Sequence, residues 1–311
     1  MFKTKILVIV GLLLVFSSVG FADDTKFIQV KRNKKNVPIS LETATVTYEK
    51  TTGNKTTSVD LIGVVHIADS AYYRQLNEDL SEYDTLLYEL VAEKGTVVKK
   101  NESRDSNILN VVQKLIGQFL GLEHQVSTEP NEGINYEQKN FVHADMSPKE
   151  LQEEMAKNGD NQFTMILSVL LENMRKRNKE IHDGNGKQQE VENIDIMALL
   201  SDPEGPLKIK RMMAEQFDKM KGDELGEVLT GYLVDKRNAN AIKVFDEQVR
   251  KGKKQLGIFY GAAHMPDFEK QLGKRGFKKT QTKWNTAWDL RSGNNQNQMQ
   301  DLFKVLEKFS N

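Results

Sequence analysis

The sequence predicts an α/β protein: a central sheet with a strand–GxxH–helix unit at each end, and a long helical insertion or cap in the middle. Three observations predict this. Strongly apolar, strand-like runs at 59–67, 85–90 and 255–260 alternate with helical patterns at both ends of the chain. Gly63-Val64-Val65-His66-Ile67-Ala68-Asp69 and Gly261-Ala262-Ala263-His264-Met265-Pro266-Asp267 repeat Gly, His and Asp at the same offsets. Between about 103 and 250, apolar residues recur at helical spacing, as in Phe163, Ile166, Leu167, Leu170, Leu171 and Met174. Because the two ends look alike, one domain spanning 42–311 with an inserted helical segment fits better than two independent domains.

Taken in order, residues 1–22 read as a secretory signal. Lys3 and Lys5 precede an apolar run at 6–16, and Gly20-Phe21-Ala22 supplies small residues for cleavage. That run is short of the ~20 residues a membrane-spanning helix needs. The expectation is therefore export to the periplasm or beyond, with no stable membrane anchor after cleavage. Residues 23–41 read as a polar leader, of which 26–36 suits an edge segment. Residues 43–49 alternate as a strand, Thr51-Thr52-Gly53-Asn54 turns, and 59–67 forms the next strand. Asp69-Ser70 opens a helix to about 82, and 85–90 is a further buried strand. Strand, helix and strand in so short a span predict a βαβ unit with parallel pairing.

In the middle, helices are expected over 108–120, 163–177, 207–220 and 225–249, the last broken near Gly231. Ser147-Pro148-Lys149-Glu150 is a capping box with proline at the first helical position, which starts a helix through 157. After the strand at 255–260 come a short helix at 266–273, one or two strands within 277–290, a loop at 291–298 and a final helix carrying Leu302, Val305 and Phe309.

Composition removes several classes of function. The 311 residues carry 44 Lys+Arg and 44 Asp+Glu, and this balance argues against a general nucleic-acid binder. With no Cys, disulfide scaffolds, thiolate nucleophiles and Cys-ligated zinc are excluded. The sequence has no P-loop, no GxGxxG after a strand, no HExxH helix and no GxSxG elbow. The basic run Lys31-Arg32-Asn33-Lys34-Lys35 reads as solvated.

The chemistry-bearing residues lie where strands feed helices, the position at which α/β proteins place reactive groups. His66 and His264 follow their strands in matching contexts, and if those strands share one sheet the two rings face one ligand. Glu89 ends the apolar strand Leu86-Leu87-Tyr88, where a carboxylate is costly unless it is paired or ligated. Arg237, in Arg237-Asn238, is suited to gripping a carboxylate or a developing oxyanion. Asp69 and Asp267 are placed to cap the helices that follow, with contact to the imidazole as the alternative. Gly121-Leu122-Glu123-His124 also matches GxxH, but it follows a helix, lacks the later Asp, and is set aside. His143, ending the apolar stretch Phe141-Val142, is a lesser candidate, and Glu93 is expected in an exposed loop.

These residues resemble the TraB/PrgY/GumN group, in the wider TIKI and erythromycin-esterase-like superfamily. The resemblance covers about 60–289 and rests on the two GxxH elements, the strand-terminal Glu89 and the Arg237-Asn238 helix. Many members carry Thr after the first glycine, whereas this chain has Val64, which removes a hydroxyl from that turn. The resemblance implies His66, Glu89, Arg237 and His264 as catalytic residues of a hydrolase acting on a peptide or small acyl substrate. It also implies a divalent metal (Mn, Co, Fe or Zn) on His66, Glu89 and His264, or water activation by His and Glu alone. The alternative it leaves is a non-catalytic protein that sequesters a peptide or haem.

Overall fold

The computed structural model describes residues 26–100, 117, 119–127, 129–157, 202, 204–219 and 234–291. The signal-like segment, the expected helix over 163–177, residues 108–116 of that expected over 108–120, residues 225–233 of that expected over 225–249, and the carboxy-terminal helix lie outside the described residues.

Nine strands and five helices are described: β1 (Ile28–Arg32), β2 (Pro38–Thr52), β3 (Lys55–Val64), β4 (Ile67–Ala68), α1 (Ser70–Ser81), β5 (Thr85–Tyr88), β6 (Glu123–His124), β7 (Phe141–His143), α2 (Pro148–Lys157), α3 (Gly205–Lys219), α4 (Asp235–Arg250), β8 (Gln255–Gly261), α5 (Met265–Lys274) and β9 (Lys278–Asp289). β3, β8, β5 and β7 run parallel side by side, and β1, β2 and β9 extend the sheet antiparallel. On one edge of β2 lies β9, whose register overlaps those of both other partners. β1 and β3 must therefore share the opposite edge, β1 against the first half of β2 and β3 against the second.

Alternation along the strands sorts the side chains to two faces. Ile62, Val64, Leu86, Tyr88 and Phe259 pack with Tyr72, Tyr73, Leu76 and Leu80 of α1 and with Met213, Ala214 and Phe217 of α3. Val59, Leu61, Leu87, Ile258 and Tyr260 pack with Ala241, Ile242 and Phe245 of α4 and with Met265, Phe268 and Leu272 of α5. Helices cover both faces of the parallel half, which is why its strands read as continuous apolar runs rather than alternating ones.

The expected elements recur with shifted edges. The hairpin turns at Gly53-Asn54, with Thr52 opposite Lys55 and Gly53 at φ 60°. Within 277–290 there is a single strand, Lys278–Asp289. Part of the supposed leader is sheet: Ile28–Arg32 is an edge strand, and Pro38–Leu41 already belongs to β2. Three differences have consequences. β3, α1 and β5 are a βαβ unit whose strands are parallel but not neighbours, because β8 lies between them. β7 sits inside the stretch expected as helical, yet it is a strand of the main sheet beside β5. Asp69 occupies the position before α1 but makes no side-chain cap; it accepts a hydrogen bond from the buried Lys210 Nζ at 2.9 Å and another from the Asp289 N–H.

The capping box ahead of α2 is formed. The Glu150 N–H donates to Ser147 Oγ at 3.1 Å, and the Ser147 N–H donates to Glu150 Oε2 at 2.8 Å. The Ser147 N–H also holds the Glu150 carboxyl below its usual range. Ser147→Ala is expected to cost about 1 kcal/mol, read as a lower denaturant midpoint at unchanged slope.

Candidate active site at the ends of the parallel strands

The carboxyl ends of β3, β8 and β5 bring the two GxxH elements and Glu89 together. β3 and β8 pair in parallel, with Gly63 opposite Tyr260 and Val64 opposite Gly261, so the two motifs are one residue out of step. His66 follows β3 and is solvent-exposed. After β8 a single 3-10 turn, Ala262–His264, carries the second imidazole into the interior at 6% exposure and leads directly into α5. Glu89 follows β5, and its N–H donates to the Phe259 carbonyl on β8 at 3.1 Å. The carboxylate is thus attached to the strand of the second motif, not that of the first.

Gly261 lies at the meeting point. A β-carbon there would stand 3.4 Å from Glu89 Oε2 and 3.6 Å from His66 Nε2, so the glycine keeps the space between base and carboxylate open. Gly63 serves packing instead: a β-carbon on it would crowd Met265 Cγ at 3.3 Å and Ala262 Cα at 3.5 Å, where the second motif turns against β3.

Arg237, near the start of α4, reaches under the strand ends. Its Nη2 donates to Glu89 Oε1 at 2.6 Å and to Asp145 Oδ2 at 2.6 Å, and its Nε donates to Asp145 Oδ1 at 2.9 Å. Asp145 follows β7 and is 1% exposed. The guanidinium is therefore a fork on one carboxylate and a bridge to the other. Glu89 Oε2 accepts the Gly261 N–H at 2.7 Å. Burial opposes charge on Glu89, but Arg237 and, behind it, the two imidazoles outweigh burial and hold the carboxyl well below its usual range. Burial likewise opposes the charge on Arg237, and Glu89 and Asp145 reverse it, leaving the group permanently cationic.

Each imidazole is held through Nδ1. His66 Nδ1 lies 3.0 Å from Gln125 Oε1, and Gln125 Nε2 donates to the Tyr136 hydroxyl at 2.9 Å. His264 Nδ1 lies 2.6 Å from Asn238 Oδ1, and its Nε2 faces Glu89 Oε1 at 3.5 Å. The Tyr260 ring packs edge-on against His264, with centroids 5.2 Å apart. The Tyr260 hydroxyl donates to the Ala144 carbonyl at 2.9 Å, and burial pushes its ionisation well upward, so it stays a neutral prop. His264 thus turns Nε2 toward the anionic carboxylate, and His66 Nε2 borders the same space beside Gly261. That arrangement can accept, hold and return a proton beside a fixed charge.

The four residues read from the sequence, His66, Glu89, Arg237 and His264, meet in this one place. Glu93 is exposed, as expected. His143 is not part of the group; its Nε2 binds the Leu90 carbonyl at 2.6 Å. Two residues further on, Asp145 is the group member that sequence reasoning passed over. The discarded third GxxH also matters: β6 pairs with β4, setting His124 opposite Ile67, and the next residue, Gln125, holds His66 through both its backbone N–H and its side chain.

Comparison with protein-family models, with curated proteins and with solved structures finds no match to this chain. The metal implied by the resemblance does not suit the donors as they stand. Among the described residues no three His, Asp or Glu side chains are grouped to hold an ion. Glu89 spends one oxygen on Arg237 and the other on an amide, and a guanidinium bound to a ligand oxygen would repel a second cation.

Proposed function

We propose that the chain is a hydrolase that activates water with His66 and Glu89, acting on a peptide or other acyl substrate. One observation carries the reading: at the carboxyl ends of parallel strands, His66 Nε2 and Glu89 Oε2 both border the space beside Gly261, 3.6 and 3.4 Å from where a β-carbon on that glycine would stand. His66 is the exposed member and meets solvent and substrate. Water held at Nε2 gives its proton to the ring as its oxygen adds to the acyl carbon. Glu89, kept ionised by Arg237, stabilises the imidazolium so formed. The ring then returns the proton to the leaving oxygen or nitrogen as that bond breaks, which closes the balance without any other reactant. His264, buried beside the same carboxylate, is the second proton-handling group. The amino-terminal segment supports export, so the substrate would be met in the periplasm or outside the cell.

The test is turnover of a panel of peptides and acyl esters by the purified protein, beside His66→Ala and His264→Ala. Product formed by wild type and lost in both folded variants is the expected result. Full activity in both variants, or one-to-one capture of a ligand with no product by mass spectrometry, would overturn the enzymatic reading. Elemental analysis of the same preparations addresses the metal-free step: a stoichiometric metal that disappears in His66→Ala would displace it.

A further inference from the structure

We propose that Asn238 and Asp267 are positioning residues that lock His264 in its Nδ1–H tautomer, leaving Nε2 bare in the neutral ring and aimed at Glu89. The inference deepens the acid–base reading of this site and rests on it for its catalytic meaning; the tautomer itself is a property of the resting protein.

Asn238 is fully buried on α4. Its Nδ2 lies 3.0 Å from the His264 carbonyl oxygen and 3.0 Å from Asp267 Oδ2. A carbonyl and a carboxylate oxygen only accept, so the amide end facing them must be the NH₂. Turning the amide over would set its oxygen against two acceptors in a buried place, which is costly. The amide oxygen therefore faces His264 Nδ1, and because that oxygen cannot donate, the proton of this 2.6 Å contact belongs to the ring. A neutral imidazole carries one N–H, so Nε2 is the proton-accepting nitrogen.

The opposite tautomer would set Nδ1 and the amide oxygen against each other as two acceptors 2.6 Å apart, whereas in the locked one the bare Nε2 meets Glu89 Oε1 only at 3.5 Å. Asp267 is what prevents Asn238 from adapting by rotation, since it occupies the second amide hydrogen. This also separates the two motif copies. Asp69, at the matching offset, is spent on Lys210 and the Asp289 N–H and touches no imidazole. On the other ring, Gln125 Oε1 meets His66 Nδ1 and its Nε2 meets the Tyr136 hydroxyl, with no carboxylate on the amide among the described residues.

The experiment is long-range proton–nitrogen correlation on full-length protein labelled with [¹⁵N]histidine, recorded where the ring is neutral, with the signal assigned by its loss in His264→Gln. Expected are a protonated, pyrrole-type Nδ1 and an unprotonated, pyridine-type Nε2 in wild type. Asn238→Ala is expected to move the pair toward the Nε2–H pattern, and Asp267→Ala toward a mixture. A wild-type His264 carrying its proton on Nε2 overturns the proposal, as does an Asn238→Ala spectrum identical to wild type. Should Asn238→Ala fail to fold, the wild-type spectrum decides alone. Failure of the hydrolase reading is distinguishable, since absence of turnover would leave these nitrogen shifts where they are.

Discussion

Arg237→Leu is expected to lower stability by about 3–5 kcal/mol. The reason is what remains rather than what is removed. Asp145 is buried and the Glu89 side chain nearly so, and Arg237 is the cation that each meets at 2.6 Å. Leucine fills much of the volume but leaves two carboxylates in a low-dielectric site without the guanidinium that bridged them, with only the imidazoles beside Glu89. The effect should depend on pH, and its sign can be worked out. In wild type the folded Glu89 carboxyl sits well below its ordinary value of 4.5. The unfolded chain therefore binds protons first as pH falls. The stability contributed by this pairing is complete above about 4.5 and is lost as pH drops toward the folded value. In Arg237→Leu the largest depressing charge is gone and burial pushes the carboxyl upward against the imidazoles alone, so protonation costs the folded state less. The deficit relative to wild type should shrink on acidification. Denaturant unfolding of both proteins at neutral pH and near pH 4 measures this. A deficit below about 1 kcal/mol at neutral pH, or one that grows in acid, would contradict the buried-bridge reading. Adding Asp145→Asn to Arg237→Leu should recover part of the loss, because one stranded charge is then removed.

How much of this was legible in the sequence follows from the range of the forces involved. Local signals were readable: the capping box at Ser147 and Glu150, the Gly53 turn, and the apolar strands that become β3, β5 and β8. Residues that end buried strands were readable too: Glu89 and His264 are polar groups placed where burial would otherwise penalise them, and the exposed His66 matches His264 in motif and context. Long-range order was not. Nothing local places β8 between β3 and β5, and so the neighbour of Glu89 was misjudged. Asp145 follows a three-residue strand too short to show a period, and only its position under Arg237, 92 residues later, gives it meaning. Gln125 was hidden in the same way: a two-residue bridge between β4 and β6 carries it to His66, and two residues leave no periodic trace. The Asp69 assignment failed for a further reason. Capping is a local default, and a buried lysine from α3, 141 positions away, outbid it.

Glu89→Gln and His66→Ala are each expected to lower kcat/KM by about 10²–10⁴-fold, and the double variant by scarcely more than either single one. If His66 takes the proton and Glu89 stabilises the resulting imidazolium, neither does anything useful without the other, so their losses overlap rather than multiply. Glu89→Gln is nearly isosteric and keeps an oxygen for one of its donors. It removes the negative charge facing the ring and turns an NH₂ toward either Arg237 Nη2 or the Gly261 N–H, each of which now meets an oxygen. Some stability is lost with that mismatch, so unfolding curves must accompany the kinetics and activities be compared only where each protein is folded. KM should change little in His66→Ala if the ring acts on water rather than on substrate binding, placing the loss in kcat. Strictly multiplicative losses would mean that the two residues act on separate steps. The space above Gly261 would then be no shared proton path, and the exposed imidazole would need a different partner.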